Sequence, residues 1–223
     1  MKRRMILLQL ACLCLPWRLR RWILNAAFGW HIHQTAKIGF SLLATLRLNM
    51  GPNSRIGHLN FARYLEEIAL GGGATIGNKN WISGYPISSS DAFQGSDRFP
   101  SLQINDQAAI TNSHRIDCTD RVVVGAFTTI AGWNTQIITH SIKITEARQR
   151  CAPIEIGSYC FIGTRCVILT GAKLSDYSVL SAGSVLSHVY QEPYGLYSGV
   201  PAKRQRNLDP NAAYFTRRAG PCY

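Results

Sequence analysis

From Ile156 onward an aliphatic residue recurs every six positions: Ile156, Ile162, Ile168, Leu174, Leu180 and Leu186. Four residues after each of the first five stands a small one: Cys160, Cys166, Ala172, Ser178 and Ser184. A period of six is neither the 3.6-residue period of a helix nor the two-residue alternation of a long strand. It predicts a short strand, a turn, and a second short strand rotated to a new face, with three such units closing one triangular coil. The aliphatic residue fills the interior and the small one fits where the backbone nears the axis. Successive coils then pair as parallel strands about 4.8 Å apart.

The same phase runs upstream. Ile104, Ile110 and Ile116 form one coil, Val124 and Ile130 begin another, and Leu70, Ile76 and Ile82 form an earlier one. Ile38-Gly39 and Ile56-Gly57 are 18 apart, with a weaker pattern between them. Five clear coils and one or two ragged ones are expected. A coil buries its interior only against its neighbours, so the ends of the stack need caps. The N-terminal segment and the C-terminal tail are available for that.

Two breaks in phase predict excursions. Leu70 and Ile104 are 34 apart, and the excess falls between Ser88 and Pro100, a loop by composition. Val124 and Ile156 are 32 apart, and that excess is expected over residues 141–155, directly after His140. Residues that leave a regular coil project from it, and loops on a rigid scaffold commonly build sites. The chain therefore divides into a segment 1–34, expected to be helical, a β-helix over 35–207 and a tail over 208–223.

Charge changes the picture at one end only. The net charge is +12, yet residues 1–65 hold ten Lys or Arg and no Asp or Glu; the first acid is Glu66. A basic third on a near-neutral body points to an anionic surface beside it. Lys2-Arg3-Arg4 precedes an apolar run from Met5 to Leu15, and Trp17-Arg18-Leu19-Arg20-Arg21 follows. No small-x-small cleavage site follows the run, and it is too short to span a bilayer, which takes about 20 residues. A helix lying in the cytoplasmic membrane interface fits, with Trp17 and Trp22 at headgroup depth; a helix packed on the protein's own body is the other reading. Nucleic-acid binding is not expected, since such an arm has no use for the apolar run. The seven cysteines lack paired zinc spacing and read as small thiols in a reducing compartment.

Histidine carries the candidate chemistry. His31 and His33 lie in the lead into the first coil, and His114 takes a small-residue position, where it faces inward. No pair on the body converges as zinc ligands would, so no metal is expected. Gly71-Gly72-Gly73 lacks the Lys-Ser/Thr ending of a phosphate loop, and the hexapeptide phase explains it as turns. His140 stands at the base of the second excursion.

Three stretches carry a family resemblance: Ala131-Gly132-Trp133-Asn134-Thr135-Gln136-Ile137-Ile138-Thr139-His140-Ser141, Ile156-Gly157-Ser158-Tyr159-Cys160-Phe161-Ile162-Gly163-Thr164, and Ser198-Gly199-Val200-Pro201-Ala202-Lys203. Together, over roughly residues 35–207, they resemble bacterial hexapeptide-repeat O-acetyltransferases, particularly those of surface-polysaccharide biosynthesis. The resemblance implies a mainly β, left-handed parallel β-helix and a homotrimer with active sites in grooves between adjacent copies. It implies acetyl-CoA as acyl donor and a sugar or glycan acceptor. His140 would take the proton from the acceptor hydroxyl. Ala182 would offer a backbone amide to the pantetheine arm, and Lys203 and Arg204 would lie near the coenzyme's phosphates. Trp133 and Asn134 would border the acceptor, although this pair is bulkier than the Gly-Asp or Gly-Asn turn expected there. Histidine suits the chemistry, because a sugar hydroxyl needs a base with a pKa near neutrality. N-acetylation of an amino sugar and a non-catalytic β-helix scaffold remain the alternatives.

Overall fold

The computed structural model describes residues 2–87, 90–93 and 95–220. The side chains of Lys2, Arg3, Ser90 and Asp91, together with Ser88 and Ser89 of the first excursion and Cys222 of the tail, lie outside the described residues. The hexapeptide units form a left-handed parallel β-helix with three faces. The first face stacks Ser101–Ile104, Val122–Val124, Ile154–Ile156, Lys173–Leu174 and Val189–Tyr190. The second runs from Lys37–Ile38 through Thr75–Ile76, Thr129–Ile130 and Val179–Leu180 to Gly195–Gly199, and the antiparallel strand Ala202–Asn207 closes its edge. The third stacks Trp81–Ser83, Arg115–Asp117, Gln136–Ile138, Val167–Ile168 and Val185–Leu186. One long strand, Phe61–Leu70, bends across a corner, pairing Phe61 with Trp81 on the third face and Glu67 with Ser101 on the first.

The sixfold aliphatic positions meet in register, as the period requires. Leu70, Ile104, Val124, Ile156 and Leu174 form one interior column, and Ile82, Ile116, Ile137, Ile168 and Leu186 another. None of these ten is more than 4% exposed. A second ladder runs through the small-residue positions. Asn60 Oδ1 accepts the Asn80 N–H, Asn80 Oδ1 accepts the His114 N–H, and His114 Nδ1 accepts the Thr135 N–H at 3.2 Å. His114 thus faces inward, as its place in the repeat predicted, and burial lowers its pKa to about 4. It serves as a neutral rung of the ladder.

Two helices, α1 (Lys2–Ala11) and α2 (Trp17–Phe28), close the N-terminal end. The Gln9 amide of α1 substitutes for a missing strand: its Oε1 accepts the Leu43 N–H at 2.9 Å and its Nε2 donates to Leu43 O at 2.8 Å. On α2, Trp17 Nε1 donates to Ala36 O, Arg20 Nη1 to Ile38 O and Gly39 O, and Arg21 Nη1 to Ile32 O. Trp17, expected at headgroup depth, and Arg20 and Arg21, expected beside an anionic surface, are therefore turned onto the first coils, whose carbonyls have no preceding coil to serve. Pro16 sets the start of α2, and Gly29, at φ +64°, its end. Among the described residues no helix is long and apolar enough to cross a membrane.

The tail runs back along the corner between the first and second faces. That corner carries a ring ladder, Phe127, Tyr159, Tyr177 and Tyr194, stacked 4.6, 5.2 and 4.8 Å apart. Arg217 lies over Phe127, Tyr159 and Tyr214, and Phe215 of the short helix α3 (Ala213–Thr216) packs edge-on to Tyr177 and Tyr194. Six cysteines among the described residues are free; Cys12, Cys118, Cys160 and Cys166 are buried and Cys14 is exposed.

Candidate active site

Both excursions leave the corner where the third face turns into the first, and they pack on each other there. The second is an antiparallel hairpin, His140–Lys143 with Arg148–Cys151, so His140 sits at its root opposite Cys151. One of the 14 surplus residues counted to this excursion lies elsewhere. Ile130 and Ile137 are seven apart, which places the extra residue in the Trp133–Asn134 corner. The first excursion comes back over His140 with Phe93, whose ring meets the imidazole edge-on at 6.3 Å. Arg98 pins this excursion by donating to Tyr85 O, Pro86 O and Thr119 O.

His140 Nδ1 lies 2.8 Å from Asp117 Oδ2. The carboxylate is itself held on all sides. Its Oδ2 accepts from Thr139 N and Oγ1, both at 2.9 Å, and its Oδ1 accepts from Thr119 Oγ1 at 2.6 Å and Thr119 N at 3.2 Å. Burial pushes the Asp117 carboxyl up, but the hydrogen bonds from His140, Thr119 and Thr139 hold it below its ordinary value. The Asp117 hydrogen bond raises the His140 pKa, against the opposing effect of burial. With Nδ1–H given to Asp117, Nε2 keeps its lone pair free to accept a proton. The His140 side chain is 41% exposed and that of Asp117 only 17%, so the imidazole is the more accessible of the two.

Asp117 was not among the residues singled out in the sequence. The signal was there: Ile116 and Val124 are eight apart rather than six, and the two extra residues make the corner on which Asp117, Thr119 and Asp120 converge.

The remaining candidates lie elsewhere. Trp133 and Asn134 form the opposite corner, between the second and third faces. Asn134 adopts φ +60°, Trp133 is 59% exposed, and Thr164 Oγ1 both accepts the Trp133 N–H at 3.0 Å and donates to Trp133 O at 2.9 Å. Gly132 is required here, since a Cβ would fall 2.5 Å from the Thr164 side chain. Ala182 lies on the same corner two coils on, exposed, with no acceptor for its N–H among the described residues. Lys203 is exposed on the closing strand, opposite Ser198. Arg204 is committed differently: it pairs with Glu192 at 2.6 Å and donates to Pro193 O and Asn207 Oδ1, whereas Lys203 has no ion-pair partner among the described residues. Within one chain, then, Trp133 and Ala182 lie at one edge of the third face, His140 lies at the other, and Lys203 stands on the strand that closes the second face. A cavity of about 470 Å³ between Val123, Glu155, Lys173 and Gln191 on the first face contains none of them. Among the described residues no three His, Cys, Asp or Glu side chains are grouped to hold a metal.

No family model matches the chain. A curated protein of Bacillus subtilis (strain 168), named "Putative acetyltransferase YvoF", is 37% identical over 67 residues. That match spans 30% of this chain and 37% of the relative. Similar solved structures include a hexapeptide-repeat acetyltransferase from Vibrio cholerae, with TM-score 0.52 and 19% identity over 93% of this chain and 90% of that one. The polysialic acid O-acetyltransferase OatWY has TM-score 0.52 and 17% identity, over 85% and 90% of the two chains. The chain is a hexapeptide-repeat β-helix, with the fold that these acetyltransferases share.

Proposed function

We propose that the protein is an acetyl-CoA-dependent O-acetyltransferase acting on a sugar hydroxyl of a surface glycan, with His140 as general base. The observation that carries this reading is the Asp117–His140 pair at the root of two excursions, on a fold shared with acetyltransferases. His140 Nε2 takes the proton from the acceptor hydroxyl as its oxygen attacks the thioester carbonyl. Asp117 stabilises the imidazolium that results. When the C–S bond breaks, the imidazolium returns the proton to the departing coenzyme thiolate. Backbone N–H groups supply the oxyanion donors in this kind of chemistry, and the unpartnered Ala182 N–H suits the pantetheine amides. Lys203 suits a phosphate as a point charge; Arg204 is held by Glu192 and fits that task poorly.

Ala182 and His140 stand on opposite edges of the third face, which supports a site shared between two copies. A homotrimer, with the His140 edge of one copy facing the Ala182 edge of the next, brings them together. OatWY is named for acetylating polysialic acid, which supports a glycan acceptor here. The basic N-terminal segment supports a place on the inner face of the cytoplasmic membrane, beside a lipid-linked glycan.

The test is acetyl transfer from acetyl-CoA to a panel of nucleotide sugars and lipid-linked glycans. His140→Gln should lower the rate about 10² to 10⁴-fold while leaving donor affinity within a few fold. A product whose acetyl group is released by alkaline hydroxylamine is an ester, and a resistant one is the amide of N-acetylation. If His140→Gln keeps more than about a tenth of the rate, His140 is not the base.

A further inference from the structure

The N-terminal cap packs one side of each helix on the coils and leaves the other side exposed among the described residues. On α1, Met5 and Gln9 are buried, while Arg4, Leu7 and Leu10 are exposed. On α2, Trp17, Arg20, Arg21 and Asn25 bond to the first coils and Leu24 is buried, while Arg18, Leu19 and Trp22 are exposed. Leu7 and Trp22 are each 65% exposed, high for large apolar side chains on a packed element. A groove of about 420 Å³ lies between the helices, lined by Arg4, Met5, Leu8, Ala27 and Phe28. Neither helix contains an acid.

A surface at once apolar and cationic discriminates among partners. A second copy of the same surface would set arginine against arginine, and a nucleic acid would leave the leucines in water. An anionic bilayer satisfies both, with the apolar side chains at the acyl boundary, the tryptophan at headgroup depth and the guanidinium groups on phosphate.

We propose that the outward side of this two-helix cap docks on anionic phospholipid, with Leu7, Leu10, Leu19 and Trp22 inserted and Arg4 and Arg18 paired with headgroup phosphates. This rests on the membrane location proposed above and not on the transfer chemistry. Because α1 and α2 are bonded to the first coils, docking fixes the whole stack. Its N-terminal end meets the bilayer, and the closing strand with Lys203 stands farthest away.

Flotation of the full-length protein with phosphatidylcholine vesicles, with and without phosphatidylglycerol, tests this without donor or acceptor. Wild type should rise with the anionic vesicles and far less with neutral ones. The surface variant Leu19→Ser/Trp22→Ser should lose about tenfold or more of that binding, and Arg18→Ser about fivefold. Both should keep the wild-type melting midpoint, since neither side chain supports the first coils. Ile144→Ser, which removes a still more exposed apolar group on the hairpin, should bind as wild type does. Variants that float like wild type, or equal partitioning to both vesicles, would overturn the proposal. So would a change of oligomeric state in the variants with no vesicle binding by wild type, which would assign the surface to a second copy. Vesicle binding that holds while every acetyl acceptor fails would sink the transfer reading alone.

Discussion

At the scale of single residues, the site depends on Asp117 as much as on His140. Asp117 accepts four hydrogen bonds besides that of the imidazole, so it is fixed before substrate arrives. Its effect on His140 has a definite sign. The raised His140 pKa contributes stability that is present below the ordinary value of 6.5 and lost as pH rises through the raised value. The lowered Asp117 pKa contributes stability that is present above 3.8 and lost as pH falls through the lowered value. The pair therefore stabilises the fold most between those two ordinary values. Asp117→Asn should cost most stability near pH 5, measured as a shift in urea midpoint against wild type. In catalysis the base must be neutral, so the acid limb of kcat/KM should lie above 6.5 in wild type and move down in Asp117→Asn. The variant should also lose about tenfold or more in rate, because the imidazolium loses its partner. An unshifted limb would mean that Asp117 only holds the corner together.

At the scale of elements, the caps do what the coils cannot do for themselves. The first strands present backbone groups with no preceding coil, and Gln9, Trp17, Arg20 and Arg21 meet them from two helices. Burial lowers the Arg20 pKa, yet its Nη1 still reaches two carbonyls. Gln9 is 1% exposed, so Gln9→Ala would leave the Leu43 N–H and C=O buried and unpaired. An unpaired buried group costs about 1–3 kcal/mol, so the variant should lose about 2–4 kcal/mol by chemical denaturation. Gln9→Glu should lose as well, because a carboxylate can accept from Leu43 N but cannot donate to its carbonyl. A cost below about half a kcal/mol for Gln9→Ala would show that water reaches this end of the stack.

At the scale of the whole molecule, the proposed site needs two copies, because His140 and Ala182 lie at different corners of the β-helix. Two inactive variants test the arrangement. His140→Gln removes the base, and Ala182→Trp fills the exposed donor-side turn with a ring. If each site takes one edge from each of two copies, co-expressing the two variants should restore activity to a fraction of the sites. If one chain completes its own site, no mixture should recover any. Light scattering should report the trimer directly, and an active monomer at micromolar concentration would refute it.

The period of six by itself determined the coils, their interior columns and the inward place of His114, because a residue repeated at a fixed spacing can fill only one axis. The phase breaks also located both excursions and put His140 at the root of one. What the period could not determine is what the broken coils do with their surplus residues. Two extra residues after Ile116 bring Asp117 to His140 from the neighbouring coil, a contact between positions 23 apart in sequence. Register, not spacing, decides that contact. The same holds at the N-terminus. Composition marked the segment as basic and apolar, but only the docking of α1 and α2 on bare strand ends decided that Arg20 and Arg21 turn inward while Arg18 and Trp22 turn out. A helix has two sides, and which one it buries is set by the hydrogen-bonding groups that the body leaves open.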